Sequence, residues 1–379
     1  MPQSTSARFL AVAVTATIAS SGAALGQEEI ISGLSFPIGL DQVCPGQVWL
    51  SELGVPANPK APGQGRISMV SREPSGWTAI PFVTDMAVAF NSMGEPAGTH
   101  HVSLTYDGRL LVATGGPNIP AFPYLGSVLI YNISFGSVAN GPYQTDGARL
   151  EAAIPIFPFV IESGFGDSNA YSVAEVEGEL WVVDSGANAV IRVADNGDLS
   201  VLATLPNIMN PEGTVPPMSQ AVPTRILADG FGGAVLVQLS GFPFVPGNAS
   251  VLRLASDGTL TTVATGLTTL VDAAIAEDGS VLALSIGSFD PATGQPAPNT
   301  GVLYRVRQNG TFEPLLENLN VPTAVEIVGQ DVWTTEFLNG RIVRHADVAP
   351  ARCPGDLNGD GNVDGKDLTI LLATWGMCP

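Results

Sequence analysis

Positive charge is the scarcest ingredient of this chain. Lys and Arg number 15 against 35 Asp and Glu, and charged residues make up only 13% of the 379, for a formal net charge of −20. A partner with a phosphate backbone needs clustered Lys and Arg, so nucleic acid is excluded as a ligand. Cysteine occurs 3 times, and only Cys44 lies outside the segment 353–379, which leaves little basis for a cysteine nucleophile. There is no Gly-x-Ser-x-Gly elbow, no His-Glu-x-x-His pair and no phosphate-binding loop. Long hydrophobic runs are missing too. Beyond the first residues none reaches membrane-spanning length without Gly, Pro or polar breaks, so no transmembrane segment is expected.

The first residues carry Arg8, an apolar run from Phe9 to Ala19, and a small-residue exit at Ala24-Leu25-Gly26 before Gln27-Glu28-Glu29. A basic start, a short apolar run and a small-x-small exit are the pattern of a secretory signal. Residues 1–26 are read as that signal, and the mature chain is expected to be secreted, at the cell surface, in the periplasm or outside the cell.

The body of the chain repeats itself. Six short runs rich in Val, Leu and Trp stack on one another: 47–52, 109–114, 179–184, 234–239, 280–285 and 331–336. Turn residues such as Asp107-Gly108, Glu177-Gly178 and Asp278-Gly279 enter them, as expected of buried strands reached by tight turns. Trp49, Trp181 and Trp333 share one register and are assigned to core packing. A second strand follows each run, and in it Arg192, Arg253, Arg305 and Arg344 form a column, read as structural stems covering apolar surface. A third strand often follows an Asp-Gly or Asn-Gly turn, and alternating runs such as 222–229 and 321–328 precede the opening strands. Four strands per unit, units about 50 to 70 residues apart and no helical periodicity define an all-β fold, a six-bladed β-propeller over residues 27–347. The last unit stops after 340–345 without its fourth strand. Residues 28–32 are expected to supply it, pairing with 340–345 and closing the ring.

The segments 168–206, 222–267 and 321–328 carry a resemblance to the ScyD/ScyE family, six-bladed relatives of NHL-repeat proteins, over roughly residues 28–347. The resemblance implies the fold and leaves the chemistry open. In such a propeller, the loops entering the first strand and leaving the second open around a central channel. At those places stand Glu52, His100, His101, Asp167, Asn169, Asp184, Gln238, Asp272 and Glu336. Of these, Glu52, His101, Asn169, Asp184, Asp272 and Glu336 form a candidate ligand or metal site in the funnel. Asn169 and Asp272 match the asparagine and aspartate that six-bladed lactonases similar to gluconolactonase place on a divalent metal. The acidic ligand expected in the first blade is replaced by Ser35 and Phe36.

After a linker at 348–352, the tail 353–379 has a different grammar. Asp356, Asn358, Asp360, Asn362, Asp364 and Asp367 occupy positions 1, 3, 5, 7, 9 and 12 of a loop, with Gly361 at 6 and Val363 at 8. Oxygen side chains at alternate positions around a glycine turn are the ligand set of a calcium loop. Calcium is therefore the expected cofactor. The tail resembles a type I dockerin repeat, a loop running directly into one helix, here 366–376. A full dockerin has two such repeats, so the single copy argues against a cohesin-like receptor. Cys353 and Cys378 bracket the module, and a bridge between them would close a loop of about 26 residues; Cys44 with Cys353 is the other pairing considered. Leu368, Leu371, Leu372 and Trp375 recur at helical spacing, an apolar stripe fit for an extracellular protein or surface partner.

Two function classes follow. The favoured one is a secreted, non-catalytic propeller that binds or scaffolds, with a calcium-stabilised tail for attachment. The other is an extracellular metal-dependent hydrolase of lactonase type.

Overall fold

The computed structural model describes residues 26–44, 46–54, 64–90, 96–133, 148–290, 294–351, 354–355, 357 and 363–373. Residues 1–25 of the expected signal peptide, Cys353, Cys378, Trp375 and the loop residues Asp356, Asn358, Asp360 and Asn362 lie outside these. Among the described residues no helix is long and apolar enough to cross a membrane.

Six four-stranded antiparallel sheets form the blades. Blades 1 to 5 run, from innermost to outermost strand, over 37–86, 99–155, 170–204, 223–267 and 270–319. Blade 6 takes Pro322–Val328, Asp331–Glu336 and Arg341–His345 from the end of the body and Gln27–Ser32 from its start. The closing strand pairs Gln27 with His345, Glu28 with Arg344 and Ser32 with Arg341, as the missing fourth strand required. Two ion pairs flank that ladder, Arg344 to Glu28 at 2.9 Å and Arg341 to Glu29 at 3.2 Å.

The three tryptophans of the second strands are at most 2% exposed. Trp49 meets Phe82 edge to face, as Trp333 meets Trp77, each with centroids 5.0 Å apart. The arginine column is structural. Arg192, Arg253, Arg305 and Arg344 each clasp a carboxylate near the turn between the first and second strands of their blade: Glu179, Asp229, Asp278 and Asp331.

One helix was not legible. Ile156–Glu162 sits between blades 2 and 3 and buries Ile156 and Val160. It has no capping side chain, no acid in its first turn and Pro158 within it. Packing, and not local propensity, holds it in place. Val348 and Ala349, assigned to a linker, pack against the propeller core, and Ala349 N donates to Gln330 O at 2.9 Å.

Candidate functional site

Every innermost strand changes register at the same depth. The shifts fall between Pro37 and Gly39, Thr99 and Val102, Ala170 and Ser172, Pro223 and Arg225, Leu270 and Asp272, and Pro322 and Val325. A bulge re-aims the side chains beside it. In four blades the residue just before the innermost strand, Phe36, Val222, Thr269 or Val321, has φ between 43° and 55°. Such a backbone strains a bulky or β-branched residue. Each of these carbonyls accepts an N–H from the end of the neighbouring strand in its blade: Leu53, Leu239, Ile286 and Phe337.

Between blades, side chains of the innermost strands reach the next strand's backbone, one at each interface. Asp41 Oδ2 accepts from Leu104 N (2.8 Å), Ser103 Oγ donates to Val173 O (2.8 Å), and Ser172 Oγ accepts from Ile226 N (3.3 Å). Thr224 Oγ1 donates to Leu270 O (3.0 Å), Asp272 Oδ2 accepts from Val325 N (2.8 Å), and Thr323 Oγ1 donates to Pro37 O (2.7 Å). The last of these crosses the seam between blades 6 and 1, so the inner ring is stitched all the way round. Gly39 makes room for it: a Cβ there would stand 2.5 Å from Ser51 Oγ and 3.0 Å from His101 Cα.

A buried ionic cluster fills the axis. Arg225 Nε lies 3.1 Å from Asp272 Oδ1, with the arginine 2% exposed and the aspartate fully buried. Asp41 and Glu326 are half-buried within electrostatic range of the same guanidinium. His101 is fully buried with Nε2 3.9 Å from Asp272 Oδ1. One guanidinium thus faces three carboxyls. Burial raises Asp272 to about 7 and Asp41 to about 6, and burial with the neighbouring carboxylates pushes Glu326 well above its usual range; Arg225 opposes each shift without cancelling it. Desolvation, aided by Arg225 and His100, holds His101 neutral.

Arg225, Asp41 and Glu326 were not among the sequence-selected residues. Their signal was present: in the aligned first-strand runs, VPTRILAD, VPTAVEIV and FPIGLDQV place a charge inside an apolar strand.

The selected residues divide into three groups. Glu52, Asp184 and Glu336 end their second strands and are already occupied. Glu52 takes Ser35 N at 2.6 Å and Arg66 at 2.8 Å. Asp184 takes Ser168 Oγ at 2.5 Å, Asn169 N at 2.7 Å and Ala187 N at 2.9 Å. Glu336 takes Asn339 Nδ2 at 2.6 Å and Arg341 Nε at 2.7 Å. Asp272 and His101 belong to the axial cluster. Asn169 and His100 line a cavity at the upper mouth of about 60 Å³, with Ile38, Tyr171, Val271 and Phe337 among its walls. There Asn169 Oδ1 is buried without a hydrogen-bond partner. Gly115 permits this meeting, since a Cβ would stand 1.9 Å from Asn169 Oδ1.

The lactonase-like metal shell does not fit these residues. Asp272 Oδ1 takes Ala273 N at 2.8 Å and faces Arg225, and Oδ2 takes Val325 N. No group of three or more His, Cys, Asp and Glu disposed to hold a metal occurs among the described residues. Below the cluster a second cavity of about 220 Å³ is lined by Asp41, Arg225, Ser103, Tyr106 and Glu175. Both fall short of the roughly 300–1,000 Å³ of a small-molecule site.

In the tail, helix Gly365–Ala373 begins one residue before the expected start at Lys366. Asp367 is 2% exposed; its Oδ1 accepts from Leu357 N at 2.8 Å and its Oδ2 from Asp364 N at 2.7 Å. Asp364 Oδ1 accepts from Lys366 N at 2.8 Å. Leu368, Leu371 and Leu372 are 43 to 60% exposed.

No protein-family model matches the chain, and no curated protein matches it. Solved structures do. A protein of unknown function from Bacteroides thetaiotaomicron superposes with a TM-score of 0.51 at 11% identity, over 84% of this chain and 71% of that one. The PQQ-bound aldose sugar dehydrogenase from Streptomyces coelicolor gives 0.50 at 12% identity, over 84% and 96%. Virginiamycin B lyase from Staphylococcus aureus gives 0.46 at 15% identity, over 84% and 97%. At such identities the likeness establishes the six-bladed propeller fold alone.

Proposed function

We propose that this protein is a secreted, non-catalytic binding or scaffold propeller, allied to the ScyD/ScyE group, that is attached to a partner or surface through a calcium-ordered, dockerin-like tail. The observation that carries this reading is Asp367. On a helix whose apolar residues are exposed, its carboxylate is almost fully buried and gathers Leu357 N and Asp364 N, drawing the two ends of the loop together. That is the closing role of the twelfth position in a calcium loop. Asp356, Asn358, Asp360, Asp364 and Asp367 would supply side-chain oxygens and Asn362 its backbone carbonyl. Calcium would offset the repulsion of four carboxylates that only Arg352 and Lys366 accompany in the sequence. The bridge between Cys353 and Cys378 is part of the proposal, and Cys44 is free and exposed.

The scaffold half of the reading is supported by the axis, where the carboxylates that would serve a metal are engaged by backbone N–H groups and arginine. Calorimetric titration of the mature chain should show one calcium per chain, lost in Asp360→Ala. Capture of an extracellular partner should require calcium and vanish with a chelator. A mature chain that takes up no calcium at millimolar concentration would refute the tail's assignment.

A further inference from the structure

The largest of the cavities described here is neither axial nor in the tail. It is a groove of about 460 Å³ at the seam between blades 6 and 1, on the face that carries the turns between first and second strands. Blade 1 contributes Gln47, Arg72 and Trp77; blade 6 contributes Asp331, Trp333 and Arg344. Its volume falls within the range of small-molecule sites, where the axial cavities do not.

Arg72 sets this groove apart. Every other arginine among the described residues faces a carboxylate within 4.0 Å. Arg72 has none among the described residues, although acids outnumber bases by 35 to 15 in the chain. It is exposed, with its guanidinium carbon 5.8 Å from the centroid of the Trp77 ring. Trp77 in turn meets Trp333 edge to face. Arg344 and Asp331 are paired to each other at 2.6 Å on the facing wall. The groove therefore offers indole surface, one uncommitted guanidinium and a rim of polar groups.

We propose that this seam groove binds an acidic saccharide, a pyranose oligomer bearing carboxylates. The C–H faces of a pyranose match indole surface. Its hydroxyls match Gln47 and the Arg344–Asp331 pair, and a carboxylate matches the fork of Arg72. A wholly apolar ligand would strand those polar groups, and a polyphosphate would meet Asp331 with only one free cation to hold it. The site rests on the propeller and is independent of the calcium loop. Because its walls come from the first and last blades, it is complete only when the N-terminal strand has closed the ring.

The test is calorimetric titration of the mature chain with hexuronate tetrasaccharides and with neutral hexose tetrasaccharides of the same linkage. Hexuronate should bind saturably and raise the melting temperature. Arg72→Ala, at an exposed position, should weaken it by about tenfold or more, the worth of one charge-assisted contact. Trp77→Ala should abolish binding, and Trp77→Phe, which keeps an aromatic ring should the alanine variant fail to fold, should retain part of it. Asp360→Ala, aimed at the tail's calcium, should bind hexuronate normally, so the two proposals fail separately. Absence of saturable hexuronate binding, equal affinity for the neutral sugar, or affinity unchanged in Arg72→Ala overturns the inference.

Discussion

The propeller and the tail both crowd carboxylates together, and they handle the crowding in opposite ways. In the propeller the strand-end carboxylates and Asp272 have built-in counterparts. Glu52 and Glu336 hold Arg66 and Arg341, Asp184 holds backbone N–H groups, and Asp272 holds both kinds. In the tail the nearest bases are Arg352 and Lys366; five oxygen-bearing residues alternate between them and Asp367 follows. The first arrangement is complete as folded; the second, in the function proposed above, is completed by calcium. A set of acids whose oxygens are engaged by its own fold is therefore a poor place to seek a metal, and a run of four with one lysine beside it is a good one.

The sharpest break of this contrast is to take away the axial counter-charge. Arg225→Met leaves Asp272, Asp41 and Glu326 facing one another without a cation. Removing one partner of a buried pair costs about 3–5 kcal/mol, so denaturant unfolding at pH 8 should show a loss of that order. The loss should shrink at pH 5, where the carboxyls take up protons. An equal loss at both values would mean that packing, and not charge, is what Arg225 supplies.

The wild-type pH profile comes next. Asp272, raised to about 7, and Glu326, raised well above its usual value, keep protons in the folded chain that the unfolded chain has released. Their contribution is present in acid and is lost as pH rises. Burial pushes His100 and His345 down to about 4 and His101 well below its usual value, so their contribution runs the other way and is complete only by about pH 7.5. Below that value the two oppose each other. Above about pH 7.5 only the carboxyls act, and the melting temperature should fall. Glu326→Gln should flatten that slope and stabilise the chain at pH 8 by about 1 kcal/mol; a steeper slope in this variant would contradict the proposed charge excess.

Smaller still is the loss of one outer ion pair. Arg305→Ala should cost about 0.2–1 kcal/mol, and less in high salt, because the arginine is partly solvated. The smallest effect on propeller stability belongs to the tail: Asp360→Ala should abolish calcium uptake while leaving the main unfolding transition where it was. A shift of several degrees would mean that tail and propeller are one thermodynamic unit.

How much of this was legible depends on what each residue was answering to. The six second strands were readable because β-branched and aromatic runs between tight turns answer to local chemistry, and Gln47–Glu52 and Asp331–Glu336 were placed to the residue. Closure was readable from an unpaired strand at one end and a strand-like segment at the other. The axial cluster was not, because a charge inside an apolar run does not declare which face it takes, and the register shift next to Arg225 and Asp272 alters the alternation that would have told. Glu52, Asp184 and Glu336 were placed at the ends of their strands correctly; the N–H groups and guanidinia that occupy them come from turns and neighbouring strands that spacing alone does not bring together.

The stitched blade has a mechanical consequence. Arg341–His345 leads straight toward the tail and lies between two antiparallel neighbours, Asp331–Glu336 on one edge and Gln27–Ser32 on the other. Arg344 braces it to Asp331 and Glu28, and Arg341 to Glu336 and Glu29. If the protein is held by its tail, tension along that strand loads the rungs of both ladders together instead of peeling one edge. The strand that closes the ring then also acts as the clamp against being pulled open, and shear force on the tethered molecule is spread over the first and last segments of the propeller at once.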